Sequence, residues 1–193
     1  NLIDICEEND TLIHILTVKG IFVLNGIPLF KSKKKLDEDT IQSILNNFNF
    51  AREELVGDNY VLAFKQITEI ILKAMSPGIN DPGTAINGLD YLTELLALRM
   101  QKKDSNIIYR DNKVFIKMNT IDFDDLLYNL MAAIRTYCKH DIILVQKLLM
   151  MFHYLKKQKA EKESYYKAIE KETRSLLNDA EKAITNKSVK INV

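Results

Sequence analysis

The densest grouping of chemistry-bearing residues in this 193-residue chain is Ser76-Pro77-Gly78-Ile79-Asn80-Asp81-Pro82-Gly83-Thr84. Two of its three prolines fall there. The stretch sets two hydroxyls, an amide and a carboxylate beside the start of a helix, and unpaired helix-start amides can hold an anion or a polar ligand. Arg52, whose planar fork grips carboxylates in a bidentate manner, and Gln66, the polar residue on one side of an otherwise apolar helix, extend the set. The candidate ligand site is therefore Arg52, Gln66, Ser76, Asn80, Asp81 and Thr84. The same residues also solve a helix corner. Pro77 stops the incoming helix, Gly78 can take positive φ, Asp81 is a natural N-cap, and Pro82 falls where its missing N–H costs nothing.

Other reactive groupings are thinner. Ser76, one of His14, His140 or His153, and Asp81 can be written as a hydrolytic triad, but Ser76 has no nucleophile-elbow context and no histidine sits in a motif. No catalytic residue is assigned on this basis. His153 has no partner at a ligand spacing, and Asp122, Asp124 and Asp125 stand where helix-start carboxylates usually do, so neither a metal nor a cofactor is expected. Asp58 reads as a cap, and Lys31 to Lys35 as a solvated basic loop.

These residues need elements to hold them. Tyr60, Phe64, Ile67, Ile71 and Met75 recur at helical spacing before the corner, and Ala85, Leu89, Leu92 and Leu96 after it. Thr11 to Val18 reads as a strand with Leu12, His14, Leu16 and Val18 on one face and Ile13 and Ile15 on the other. Gly20 and Gly26 bracket an apolar run read as a second strand, and Pro28 leads into another. A helix is expected from Asp37 to Phe48 and a strand over 49–55. Asp111-Asn112 is a two-residue step suited to a tight hairpin between Ile107-Ile108-Tyr109-Arg110 and Lys113 to Met118. Later helices carry stripes of Phe123, Leu126, Leu127, Leu130 and Ile134, then Ile142, Val145, Leu148, Leu149, Phe152 and Leu155. The last, from 160 to 186, has a narrower stripe of Tyr165, Ile169, Leu176, Ala180 and Ile184, suited to a surface position or to a second subunit. The tail from 187 to 193 is expected to fray or add an edge strand.

Composition narrows the function classes. Twenty-seven basic and 26 acidic side chains nearly cancel, which argues against nucleic acid as a partner. Cys6 and Cys138 form no disulfide framework or zinc motif and fit a reducing compartment. No apolar run approaches the ~20 residues that span a bilayer, and nothing resembles a signal peptide, so this stretch is expected to be soluble. It begins at Asn1 rather than Met, which raises the expectation that it is part of a longer protein.

Two resemblances follow from these residues. The Gly20 to Leu29 run is similar to the G-x-x-V-x-x-G-x-x-L pattern of biotinyl and lipoyl hammerhead half-barrels, without their attachment lysine, and implies a small β element. Ala51-Arg52, the 64–67 segment Phe-Lys-Gln-Ile, Ala74-Met75-Ser76-Pro77-Gly78-Ile79-Asn80-Asp81-Pro82, Thr84-Ala85 and Gly20-x-Phe22-Val23-x-x-Gly26-x-Pro28-Leu29 together resemble the bacterial predicted membrane protein family known as domain of unknown function 2254. Met75 replaces that family's usual Leu and Ile71 its usual Ala. The resemblance implies a C-terminal domain following transmembrane helices, on the cytoplasmic side of the inner membrane, and carries no established activity. The expected architecture is α+β and mostly helical. A small N-terminal β (hammerhead-like) element over 1–35 packs on a bundle of about five or six helices over 36–193, with an inserted hairpin near 107–118. The expected function is a ligand-sensing or assembly module of an integral membrane protein, partnered by its own transmembrane segment and by a homo-oligomer. The alternatives are a hydrolase using the Ser76–Asp81 loop with Arg52, and a purely structural module of a channel or transporter.

Overall fold

The computed structural model describes residues 1–50, 57 and 59–184. Among them the order of elements is α1 (Leu2–Glu8), β1 (Ile13–Ile15), β2 (Phe30–Ser32), α2 (Glu38–Leu45), α3 (Tyr60–Ala74), α4 (Pro82–Met100), β3 (Ile107–Arg110), β4 (Lys113–Met118), α5 (Phe123–Cys138), α6 (Ile142–Lys157) and α7 (Ser164–Ala183). The chain is α+β and mostly helical, as its periodicities imply. The strand expected over 49–55, with Arg52, falls largely outside the described residues, and so do Asp58 and the tail. Contacts divide the chain into two units, Asn1–Asn59 with Asp104–Ile121, and Tyr60–Lys103 with the chain from Asp122.

The first unit is a four-stranded sheet in the order β2-β1-β4-β3. β1 pairs antiparallel with β2 and parallel with β4, so the hairpin at 107–118 belongs to the sheet that β1 begins. Asp111 and Asn112 both take positive φ, +49° and +61°, the conformation of a type I′ turn whose twist matches the strands it joins. Ile13 and Ile15 face a core of Cys6, Ile44, Phe115 and Ile116, while His14 faces away and meets Asn119 Oδ1 at 2.9 Å. Consecutive Phe115 and Ile116 are both buried because the ladder shifts register between Ile108 and Tyr109, a bulge that breaks the alternation of faces. Around this core run ion pairs that are distant in sequence. Arg110 donates to Asp4 at 2.9 Å and to Glu7 at 2.8 Å on α1, and Lys34 and Lys113 each reach Asp10 at 2.7 Å. The two lysines hold the Asp10 carboxyl down at about 2.

One expectation fails in this unit. The apolar run between Gly20 and Gly26 is not a strand, and β1 covers only Ile13–Ile15. Leu16 N–H donates to Leu29 O at 2.8 Å, the last rung before a loop over 17–28. Each glycine there sits at the third position of a turn closed from Val18 to Ile21 and from Leu24 to Ile27, with φ of +81° and +86°. That is the type II geometry, which favours glycine. Between these two reversals the run pairs with no strand among the described residues.

The second unit is a bundle of α3, α4, α5, α6 and α7, within the five or six helices expected. α3 and α4 pack closely at Gly88, where a Cβ would lie 2.6 Å from Ile71 Cγ1. Phe64, Ile71, Leu89, Leu92, Leu96, Leu127, Ile134, Leu148 and Phe152 fill the interior. Tyr165, Ile169, Leu176 and Ala180 of α7 are buried as well, against α5 and α6, so the stripe read as a partner surface is covered by its own chain. Burial pushes the Cys138 thiol up to about 12, with the Asp141 charge adding to it, so this thiol is inert.

Candidate functional site

The corner between α3 and α4 is built from backbone outward. Met75 N–H closes the last α-turn on Ile71 O at 3.0 Å, and Ser76 N–H folds onto Lys73 O at 3.2 Å. The Ser76 hydroxyl donates to the same Lys73 carbonyl at 2.7 Å. Asn80 adopts φ +47°, a left-handed position that Asn tolerates better than most residues, and this turns the chain so that Asp81 N–H reaches Ala74 O at 2.7 Å. Asp81 then caps α4, accepting from Thr84 N–H at 3.1 Å and from the Thr84 hydroxyl, while Pro82 occupies the first helical turn. Those bonds hold the Asp81 carboxyl below its ordinary value, with the Thr84 hydroxyl the largest cause and the Thr84 amide next. Gly83 fits here because a Cβ would stand 3.3 Å from Asp81 Oδ1.

The corner thus spends its chemistry on itself. Ser76, Asp81 and Thr84 each bond within the turn: the Ser76 hydroxyl adds a second hydrogen bond to Lys73 O, and Asp81 satisfies the Thr84 amide that a helix start leaves open. Met75 and Ala85 are buried on either side and anchor it, while Pro77, Gly78, Ile79 and Asn80 stand in solvent. The structure brings Ser76, Asn80, Asp81 and Thr84 together. Gln66 is exposed on α3 and lies about 12 Å along the helix from its end at Ala74, at ~1.5 Å per residue. Arg52 lies outside the described residues.

Reading the sequence missed a buried ion cluster in the second unit. Arg135 on α5 pairs with Glu172 and, at 3.1 Å through Nε, with Asp179, both on α7. Glu172 is 2% exposed. Its signal was present, since 165, 169, 172 and 176 follow helical spacing and a carboxylate inside an apolar stripe calls for a buried cation. Beside it, Asp124, Tyr128, Lys167, Ala168, Lys171 and Glu172 line a shallow cleft of about 170 Å³. No group of three or more His, Cys, Asp or Glu among the described residues can hold a metal ion.

A second missed feature is an exposed apolar face. Tyr91 and Leu98 on α4, and Ile143, Met150 and Tyr154 on α6, are 48% to 66% exposed. Asp90 on α4 and Lys147 on α6 form an ion pair at 2.5 Å.

These features define a mostly helical α+β chain with a self-capped helix corner and exposed apolar side chains on α4 and α6. A family model described as a predicted membrane protein (DUF2254) matches residues 1–154, and the chain belongs to that family. No curated protein and no solved structure matches it. No helix among the described residues is long and apolar enough to cross a membrane.

Proposed function

We propose that this chain is a non-enzymatic assembly domain of an integral membrane protein, standing outside the bilayer on the cytoplasmic side and joined to a transmembrane segment elsewhere in the protein. Membership of a predicted membrane protein family supports the setting, and the two free, buried thiols support a reducing compartment. The observation that carries the assembly role is the exposed face of α4 and α6. Tyr91 and Leu98 on α4 and Ile143, Met150 and Tyr154 on α6 are large apolar side chains left in water, with Glu94 exposed on α4 and Lys157 exposed on α6. Exposed apolar side chains of this size on two helices are a surface that a second copy of the chain can cover. The corner enters as the device that sets the start of α4.

Sedimentation velocity over a concentration series tests this. The reading expects reversible self-association that Leu98→Glu and Met150→Glu each abolish without lowering Tm, since both side chains are exposed. A wild-type chain that stays monomeric at all concentrations, or variants that associate as before, sink it.

A further inference from the structure

We propose that the loop over 17–28 is a membrane-contact element that enters the interfacial region of an anionic bilayer. The loop displays Ile21, Phe22, Leu24 and Ile27, all more than half exposed, with Phe22 at 87%. Its shape is fixed rather than slack. The Leu16–Leu29 rung closes its base, and the two glycine turns, 18–21 and 24–27, hold residues 21–24 between them at the tip. Bulky apolar groups held out into water by a closed loop are a contact device, not stray surface.

Charge decides which contact. Between Asp10 and Asp37 the sequence has five lysines and no acidic residue, in a chain whose charges nearly cancel overall. Lys19 lies in the first turn of the loop, and Lys31 lies next to Phe30, where β2 begins. Both are exposed, and neither forms an ion pair among the described residues, unlike Lys34, which is taken by Asp10. Across the sheet Lys31 is in register with His14, and His14 with Lys117, so a basic row backs the loop on the face turned away from the unit's core. An apolar tip with cations at its base matches the acyl boundary and phosphate layer of an anionic membrane, the tip entering and the lysines meeting headgroups. The family's membrane setting agrees with this and does not depend on the α4/α6 face.

Flotation of the 193-residue chain with vesicles tests the assignment, comparing phosphatidylcholine vesicles containing phosphatidylglycerol with vesicles of phosphatidylcholine alone. The chain is expected to float with the anionic vesicles, less as salt is raised, and weakly with the neutral ones. Phe22→Ser with Leu24→Ser should lower partitioning about tenfold, and Lys19→Gln and Lys31→Gln about fivefold each on anionic vesicles only. Far-UV circular dichroism should be unchanged in every variant. The proposal is overturned if the wild-type chain does not float with anionic vesicles, or if the Phe22 and Leu24 variant floats as well as wild type. It is equally overturned if that variant changes only the sedimentation of the protein alone, which would make the loop's occupant a second copy.

Discussion

At the corner over 76–84 the side chains of Ser76, Asp81 and Thr84 turn back onto the chain that carries them, and in the loop over 17–28 the apolar side chains turn away from it. Both are short reversals bearing glycine and proline. In the corner a hydroxyl and a carboxylate serve Lys73 O and the Thr84 amide, so the residues that look most like a reactive site have their partners already. In the loop nothing covers Phe22, and exposed apolar area is unfavourable in water by roughly 25 cal/mol per Å². A polar motif with its bonds made locally is a folding device, whereas an ordered apolar motif left in water needs something outside the unit. The comparison therefore separates stability from contact: changes at the corner should move Tm and leave binding alone, and changes in the loop should do the reverse.

The largest effect is expected beneath the corner. Gly88→Ala places a Cβ 2.6 Å from Ile71 Cγ1, a side chain with no exposed area, and should destabilise by about 2 kcal/mol in urea unfolding. Adding Ile71→Ala should recover part of that loss, because the deleted atoms are the ones the new methyl meets; strictly additive costs would show that the crossing is not what limits this position. Next comes Asp81→Ala, which removes the cap of α4 and should lower Tm by about 2–4 °C at neutral pH. The sign with pH follows from the lowered carboxyl. A group whose pKa falls on folding contributes fully above its unfolded value, ordinarily 3.8, and loses that contribution as pH drops through the folded value. The gap between wild type and Asp81→Ala should thus narrow below about pH 4. If Asp81→Ala leaves Tm unchanged at every pH, the corner is not a folding device, and the ligand site of Arg52, Gln66, Ser76, Asn80, Asp81 and Thr84 becomes the better reading.

What was legible in the sequence depended on how far apart the partners lie. The helix stripes, the Asp81 cap with Pro82 behind it, and the Asp111-Asn112 turn are written in neighbouring residues, and each forms as local chemistry requires. The parallel pairing of β1 with β4 is not local, since His14 finds Asn119 across 105 positions. Glu172 showed as an interruption of its stripe, but its partner Arg135 is 37 residues away on another helix. The run Ile21-Phe22-Val23-Leu24 illustrates the hardest case. An apolar run between glycines has the composition of a strand, and with no strand beside it among the described residues it is a loop. The polar set at the corner was legible as residues and not as a role, because a cap and a ligand site call for the same side chains.

The smallest effects belong to the loop and test the other half of the comparison. At Gly26 a Cβ would meet nothing within 4 Å, so Gly26→Ala perturbs only the backbone, whose φ of +86° suits glycine. Its cost should be about 1 kcal/mol in urea unfolding, with any loss of vesicle binding reflecting a tip that no longer holds its shape. Phe22→Ser should change stability by less than about 0.5 kcal/mol, since a side chain 87% exposed has little packing to lose. A drop of the size seen for Gly88→Ala would mean that Phe22 packs on its own chain in solution. The loop would then join the corner as a folding element, and the contrast drawn between them would collapse.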